Sequence, residues 1–131
     1  MPVIPDKYRD LIEQKKAFAN LATQMADGSP QVTPVWFDHK GDTIRVNTAK
    51  GRVKSRTLKE GARVAMSIMD PENPYRYVQI RGRVTRVTEE GAAHHIDLLA
   101  KKYLGKDKYP GPAGEVRVMA EIEPTSASGW G

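Results

Sequence analysis

The stretch Ala17-Phe18-Ala19-Asn20-Leu21-Ala22-Thr23-Gln24-Met25-Ala26-Asp27-Gly28-Ser29-Pro30-Gln31-Val32-Thr33-Pro34-Val35-Trp36-Phe37-Asp38 reads as a β-hairpin and sets the fold class. Residues 17–25 form the first strand candidate. Asp27-Gly28 is the turn signal, because glycine adopts positive φ without steric cost. Residues 31–38 form the return strand, rich in Val, Thr, Trp and Phe. Pro34 interrupts it, since proline has no N–H to give to a ladder. It argues for an edge position, a bulge, or a backbone turned toward a ligand.

The same pattern continues outward from the hairpin. Upstream, Pro5-Asp6 followed by Tyr8, Leu11 and Ile12 predicts a short amphipathic helix with proline and an acidic residue in its first turn. Downstream, Lys40-Gly41 is a turn and residues 43–47 a third strand. Residues 52–60 contain no Gly or Pro, and with Val53 and Leu58 they predict a short helix. Residues 63–69 form a strand, residues 70–74 a turn-rich loop, and residues 75–88 a long strand with Gly82 as its bulge. Residues 89–104 form the main helix, with Ala92, Ile96, Leu99, Ala100 and Tyr103 at helical spacing and Gly105 as its stop. A loop at 106–114, a final strand at 115–122 and a Ser/Gly-rich tail with Trp130 complete the chain. The expected fold is mainly β (α+β): a six-stranded antiparallel barrel with peripheral helices. There is no internal repeat and no linker, so residues 1–131 read as one domain.

Lys+Arg is 21 and Asp+Glu is 16, a formal net charge of +5. The excess is local. Arg45, Lys50, Arg52, Lys54, Arg56, Lys59 and Arg63 face only Glu60, so residues 45–63 carry +6 and the rest of the chain −1. A concentrated cationic segment suits a phosphate or polycarboxylate better than a membrane sheet. Cys is 0, which removes disulfide scaffolds, thiolate metal sites and thiol nucleophiles. No apolar run approaches the ~18 residues of a membrane helix. Residues 1–16 carry charge throughout and have no apolar signal-peptide core, so a cytoplasmic location is expected. His94 and His95 are adjacent and point to different sides of a helix, so no metal site is expected. Ser126 and Ser128 have no His or Asp in a hydrolase pattern.

The segment Asn47-Thr48-Ala49-Lys50-Gly51-Arg52-Val53-Lys54-Ser55-Arg56 carries the chemistry. It is a strand end, a Gly-containing turn and a helix start, an arrangement whose free N–H groups favour an anion. Thr48 and Ser55 add hydroxyls. Arg52, Lys54 and Arg56 add charge-assisted donors, with Arg able to grip a phosphate bidentately. The Walker A pattern is absent.

In this segment and in most of the chain the sequence resembles the split-barrel flavin and deazaflavin oxidoreductases related to pyridoxamine 5′-phosphate oxidase, and within them the coenzyme F420-dependent branch. The matching stretches are Leu21-Ala22-Thr23, residues 27–37, 47–56, 63–67 and 70–78, Arg81-Gly82-Arg83-Val84, Tyr103-Leu104-Gly105 and Gly129-Trp130-Gly131. Lys59-Glu60-Gly61-Ala62-Arg63 departs from the Asp-Pro-Arg turn common at that place. The resemblance implies a six-stranded split β-barrel of the FMN-binding type that forms a homodimer, with a cofactor in each of two interface grooves. Thr33, Pro34, Val35 and Trp36 would line the ring system. Asn47 and Thr48 would reach the ring and its side chain. Lys50 and Val53 belong to the same cofactor-binding turn, in which Arg52, Lys54, Ser55 and Arg56 would hold the phosphate. Gln79 would come from the partner chain, and Trp130 would close the pocket. The implied reaction is hydride transfer between F420 and an unsaturated small molecule, with FMN the alternative cofactor and oxidase or reductase chemistry the alternative activity. The +6 segment suits the carboxylate-bearing tail of F420. No residue stands out as an obligatory acid, and Arg81 and Arg83 read as a solvated strand face. A non-catalytic F420-binding protein uses the same residues. A single-stranded nucleic-acid-binding barrel is disfavoured, because the aromatics do not interleave with the basic strip.

Overall fold

The computed structural model describes residues 3–112 and 114–131. Met1 and Pro2, at the head of the charged N-terminal stretch, and Ala113, in the expected 106–114 loop, lie outside the described residues. The strands are β1 (Ala19–Gln24), β2 (Pro30–Val35), β3 (Phe37–Lys40), β4 (Thr43–Ala49), β5 (Arg63–Asp70), β6 (Asn73–Thr88) and β7 (Arg117–Trp130). The helices are α1 (Arg9–Glu13), entered through a 3₁₀ turn at Asp6–Tyr8, then α2 (Val53–Thr57) and α3 (Ala92–Leu104).

All seven strands form one antiparallel sheet in the order β2-β1-β5-β6-β7-β4-β3. Its two edges, β2 and β3, are consecutive in sequence and only Trp36 separates them. A flat sheet would hold those edges about 29 Å apart, at ~4.8 Å per strand. Val35 and Phe37 can be at most about 7 Å apart. The sheet therefore curls until its edges meet, and the barrel is closed by the chain rather than by a ladder. The Tyr103 hydroxyl from the end of α3 spans this seam. It donates to the Ala17 carbonyl at 2.6 Å and accepts from the Phe37 amide at 3.3 Å.

The expected return strand at 31–38 is thus two strands. The break at Trp36 raises the count from six to seven. Pro34 lies in an edge strand, where its missing N–H costs nothing. The Ser/Gly-rich tail is also strand: residues 124 and 126–130 pair with β6. The helices are shorter than their sequence patterns, α2 ending at Thr57 and α3 starting at Ala92.

Alternation builds the interior. Ala19, Leu21 and Thr23 of β1 point inward, as do Val78, Ile80, Gly82 and Val84 of β6, while Asn20, Ala22, Gln79, Arg81 and Arg83 point outward. Phe37, Ile44, Ile68 and Ile122 are fully buried among them. Ile4, Tyr8, Leu11 and Ile12, before and within α1, join the same core. The long β6–β7 ribbon bends at two register shifts. Thr125 is the extra residue of one and Thr85 of the other. Their hydroxyls donate across the ribbon to the carbonyls of Arg81 and Glu121, at 3.2 and 3.3 Å. The expected bulge at Gly82 is therefore present, with its extra residue on the opposite strand. A Cβ on Gly82 would lie 2.8 Å from the Glu123 carbonyl oxygen, so the bend leaves no room there for a side chain.

Candidate functional site

Helix α3 packs against β4 and β7 and covers that half of the sheet's outer surface. The outer faces of β2, β1, β5 and β6 are left partly or fully exposed, and strand register arranges them in rows. One row runs Pro34, Asn20, Ser67, Gln79, Ser128. The next runs Val32, Ala22, Ala65, Arg81, Ser126. On the other side Met69, Tyr77 and Trp130 stand opposite one another, and all three are exposed. The surface is a floor of small polar and apolar residues between an aromatic margin and an arginine margin. Pro34 and Gln79 therefore lie in one row, three strands or about 14 Å apart. Trp130 belongs to the neighbouring aromatic row.

The turn after β4 leads into α2, which brings Lys54, one of the expected phosphate residues, to the β2 edge. The Lys54 ammonium donates to the Gln31 side-chain oxygen at 3.2 Å. Burial pushes the Lys54 pKa below its ordinary value. Arg56 is exposed and has no carboxylate within 4 Å among the described residues. Lys50 and Arg52 are instead committed to Glu89 and Glu115, each at 2.6 Å. Ser55 donates its hydroxyl to the Arg52 carbonyl at 2.8 Å, and Val53 is half-buried. The +6 segment is accordingly not one open patch. Arg45 is paired with Asp38 at 2.6 Å beneath α3, and the cations of the segment without a carboxylate partner among the described residues are those from Lys54 onward.

The remaining expected residues divide between two environments. Thr33 and Val35 point to the half-buried inner side of β2 and Pro34 to its outer side. Trp36 lies in the link between the edges, its ring stacked on Tyr103 at 5.2 Å and 7°, with Tyr109 edge-on at 6.1 Å. Thr48 is buried inside the barrel. Asn47 faces α3, where its amide nitrogen meets the Ala92 carbonyl at 2.9 Å and His95 Nδ1 at 3.0 Å. Its oxygen accepts from Arg117 at 2.8 Å. These bonds hold Asn47 within a structural network rather than aiming it at the open face.

That network was not foreseen. His95 is buried and its Nε2 lies 2.9 Å from Asp38 Oδ1, while Arg45 grips both Asp38 oxygens. Burial raises the Asp38 carboxyl, but hydrogen bonds from His95 and Arg45 more than offset it, and the net shift is downward. The signal available in the sequence was the Gly41 hairpin, whose register places Asp38 opposite Arg45. Among the described residues, no group of three or more His, Cys, Asp or Glu could hold a metal. None of the described helices is long and apolar enough to cross a membrane.

Residues 4–131 match the family model of pyridoxamine 5′-phosphate oxidase. The chain belongs to this family. A solved protein described as an F420 reductase is 34% identical, covering 95% of this chain and 98% of its own, with a TM-score of 0.84. A conserved hypothetical protein from Mycobacterium tuberculosis is 20% identical, with coverages of 98% and 86% and a TM-score of 0.74. A putative pyridoxamine 5′-phosphate oxidase from Listeria innocua is 19% identical, with 95% of both chains covered and a TM-score of 0.70. The last two share the fold. A search of curated proteins finds no significant match. As a pyridoxamine 5′-phosphate oxidase-like chain with a curled antiparallel sheet and peripheral helices, the protein has the split-barrel fold expected from its sequence.

Proposed function

We propose that this protein is an oxidoreductase that binds the deazaflavin F420 and transfers hydride between it and an unsaturated small molecule. The observation that carries the reading is the 34% identity to an F420 reductase across nearly the full length of both chains. The residues suit such a group. Lys54 and Arg56 offer a pair of cations without carboxylate partners among the described residues, and Lys54 sits against the edge strand whose Pro34 cannot extend the ladder. A tricyclic ring lying along β2 would meet the backbone of residues 33–35 and the small side chains of the Asn20, Ser67 and Gln79 row. Its phosphate would reach Lys54 and Arg56.

Bound F420 supplies the hydride chemistry. The chain's residues bind, orient and exclude water. The Lys54 ammonium, partly desolvated, makes a stronger charged bond to a phosphate than an exposed lysine would. The Met69, Tyr77 and Trp130 row offers an apolar wall for a conjugated acceptor. Two copies would pair across the uncovered face, so that Gln79 of each approaches the ring of the other, and sedimentation would read that state.

The test is turnover. Reduced F420 is mixed with the purified protein and a set of enones and quinones, and loss of reduced cofactor is followed optically. Acceptor-dependent oxidation supports the reading. Tight F420 binding without turnover would make the protein a cofactor carrier. Binding and turnover with FMN alone would move it to flavin chemistry.

A further inference from the structure

The chain has ten arginines. Six of them, Arg9, Arg45, Arg52, Arg76, Arg86 and Arg117, have a carboxylate within 4 Å. The other four, Arg56, Arg63, Arg81 and Arg83, have none among the described residues, and they line two adjoining hollows, the larger on the uncovered face and the smaller between the β1–β2 turn, α2 and the start of β5. The larger hollow, about 890 Å³, contains Arg63, Arg81 and Arg83. The smaller contains Arg56, Lys59 and Arg63. Gln24 and Arg63 belong to both.

The placement within the larger hollow is specific. Arg63 of β5 and Arg83 of β6 are directly opposed in register, an arrangement that destabilises a sheet unless something neutralises it. Arg81 stands in the adjacent row, about 7 Å along the strand. The floor between is made by Ala22 and Ala65, whose short side chains leave the guanidinium groups room to converge. The one carboxylate lining the hollow is Glu123, opposite Arg83 in register but without an ion pair to it. Three guanidinium groups face a single acid across an open, small-residue floor.

We infer that this groove is an anion-binding site, distinct from Lys54 and Arg56 of α2, for a ligand group bearing two or more carboxylates or phosphates. Guanidinium forks bind either anion bidentately. The anion can come from a separate small polyanion or from the acidic extension of a bound deazaflavin, and the second source rests on the function proposed above. Either way the groove begins one row from Gln79, so its occupant lies beside the proposed ring position.

The test is calorimetric titration of the full chain with citrate and with pyrophosphate at low salt, on the parent, on R81S, on R63S/R83S and on K106S as a charge control. These side chains are exposed, and melting temperatures verify that each variant is folded. The parent and K106S are expected to bind both probes, R63S/R83S at least ten-fold more weakly and R81S several-fold more weakly. F420 with its glutamate tail is then compared with F420 lacking it. If R63S/R83S erases the affinity difference between the two forms, the tail is the occupant. If tail length is without effect while citrate still binds, the occupant is a separate anion. Failure of F420 to bind at all, with citrate still held, would sink the proposed function and leave the groove. Absence of citrate and pyrophosphate binding, or equal binding by R63S/R83S, overturns the inference. So does loss of self-association in R63S/R83S without any probe binding, which would make a second copy's carboxylate the natural partner.

Discussion

Lys54 Nζ lies 3.2 Å from Gln31 Oε1, which ties the cationic helix α2 to the edge strand β2. The two segments are distant in sequence and were expected to serve different ends of one cofactor, phosphate and ring. The contact places a partly desolvated cation beside the strand that carries Pro34. Lys54→Ala is expected to weaken F420 binding by about 1.5–3 kcal/mol, the range for hydrogen bonds to charged groups, and to leave the melting temperature nearly unchanged. Arg52→Ala, whose guanidinium is held by Glu115, should cost less. Fluorescence titration reads both. Equal losses would show that the Arg52–Glu115 pair opens on binding.

Because burial lowers the Lys54 pKa, its charge is lost at a lower pH than that of an ordinary lysine. Cofactor affinity should therefore fall as pH rises, starting before the usual lysine range. Lys54→Arg should remove that fall, since arginine stays charged. A pH series of binding constants on the two proteins checks it, and identical profiles would separate Lys54 from the phosphate.

The seam closed by Tyr103 makes a stability prediction. Burial pushes the Tyr103 pKa up to about 12 from an ordinary 10.0. A raised pKa means that the unfolded chain ionises first, so stability is complete below pH 10 and is lost as pH rises from there toward 12. Tyr103→Phe should remove this alkaline loss and cost about 1–3 kcal/mol at neutral pH, because the Ala17 carbonyl loses its donor. Urea unfolding at pH 7 and across the alkaline window measures both effects. An unchanged alkaline slope would show that another group titrates there.

The Asp38 network predicts the acid limb. The net lowering of its pKa means its contribution is present above the ordinary carboxylate value of 3.8 and is lost as pH falls through the lower folded value. Asp38→Asn should cost about 1–3 kcal/mol at pH 7 and flatten the loss of stability below pH 4. Equilibrium denaturation of the two proteins across that range decides it. A variant that loses stability in acid as steeply as the parent would assign the acid limb to another carboxylate.

Gly129 is fixed by contact. A Cβ there would lie 2.5 Å from the Tyr8 ring and 2.6 Å from the Tyr77 carbonyl oxygen. Gly129→Ala should destabilise by about 1–3 kcal/mol through overpacking. An unchanged denaturation midpoint would mean that Tyr8 moves aside at no cost.

Local pattern carried much of the fold. Asp27-Gly28 marked the first hairpin and Gly82 the bend in β6. Pro34 pointed to an edge strand, and β2 is one. Two features were not legible. A one-residue break at Trp36 looks like strand interior, because tryptophan suits a strand, and only the sheet order reveals it as the link between edges. The tail at 124–131 has the Ser and Gly content of a loop, yet β6 supplies its hydrogen-bond partners, so tertiary pairing overrides composition. Within the candidate site, Lys54 and Arg56 of α2 were visible as a cluster of cations after a Gly-containing turn. The hydrogen bonds of Asn47 were not, because its partners His95 and Arg117 are far away in sequence. The arginine groove escaped for a related reason. Arg63, Arg81 and Arg83 meet only through β5–β6 register, and pairing state cannot be read from a sequence.

The most direct test of the central claim is a pair of fluorescence titrations of cofactor-stripped protein, one with F420 and one with FMN, at matched ionic strength. Tight F420 binding, weakened in Lys54→Ala, with FMN bound much more weakly, is the predicted result. Tight FMN binding with little affinity for F420 would contradict the deazaflavin assignment and place the protein among flavin-dependent members of its family.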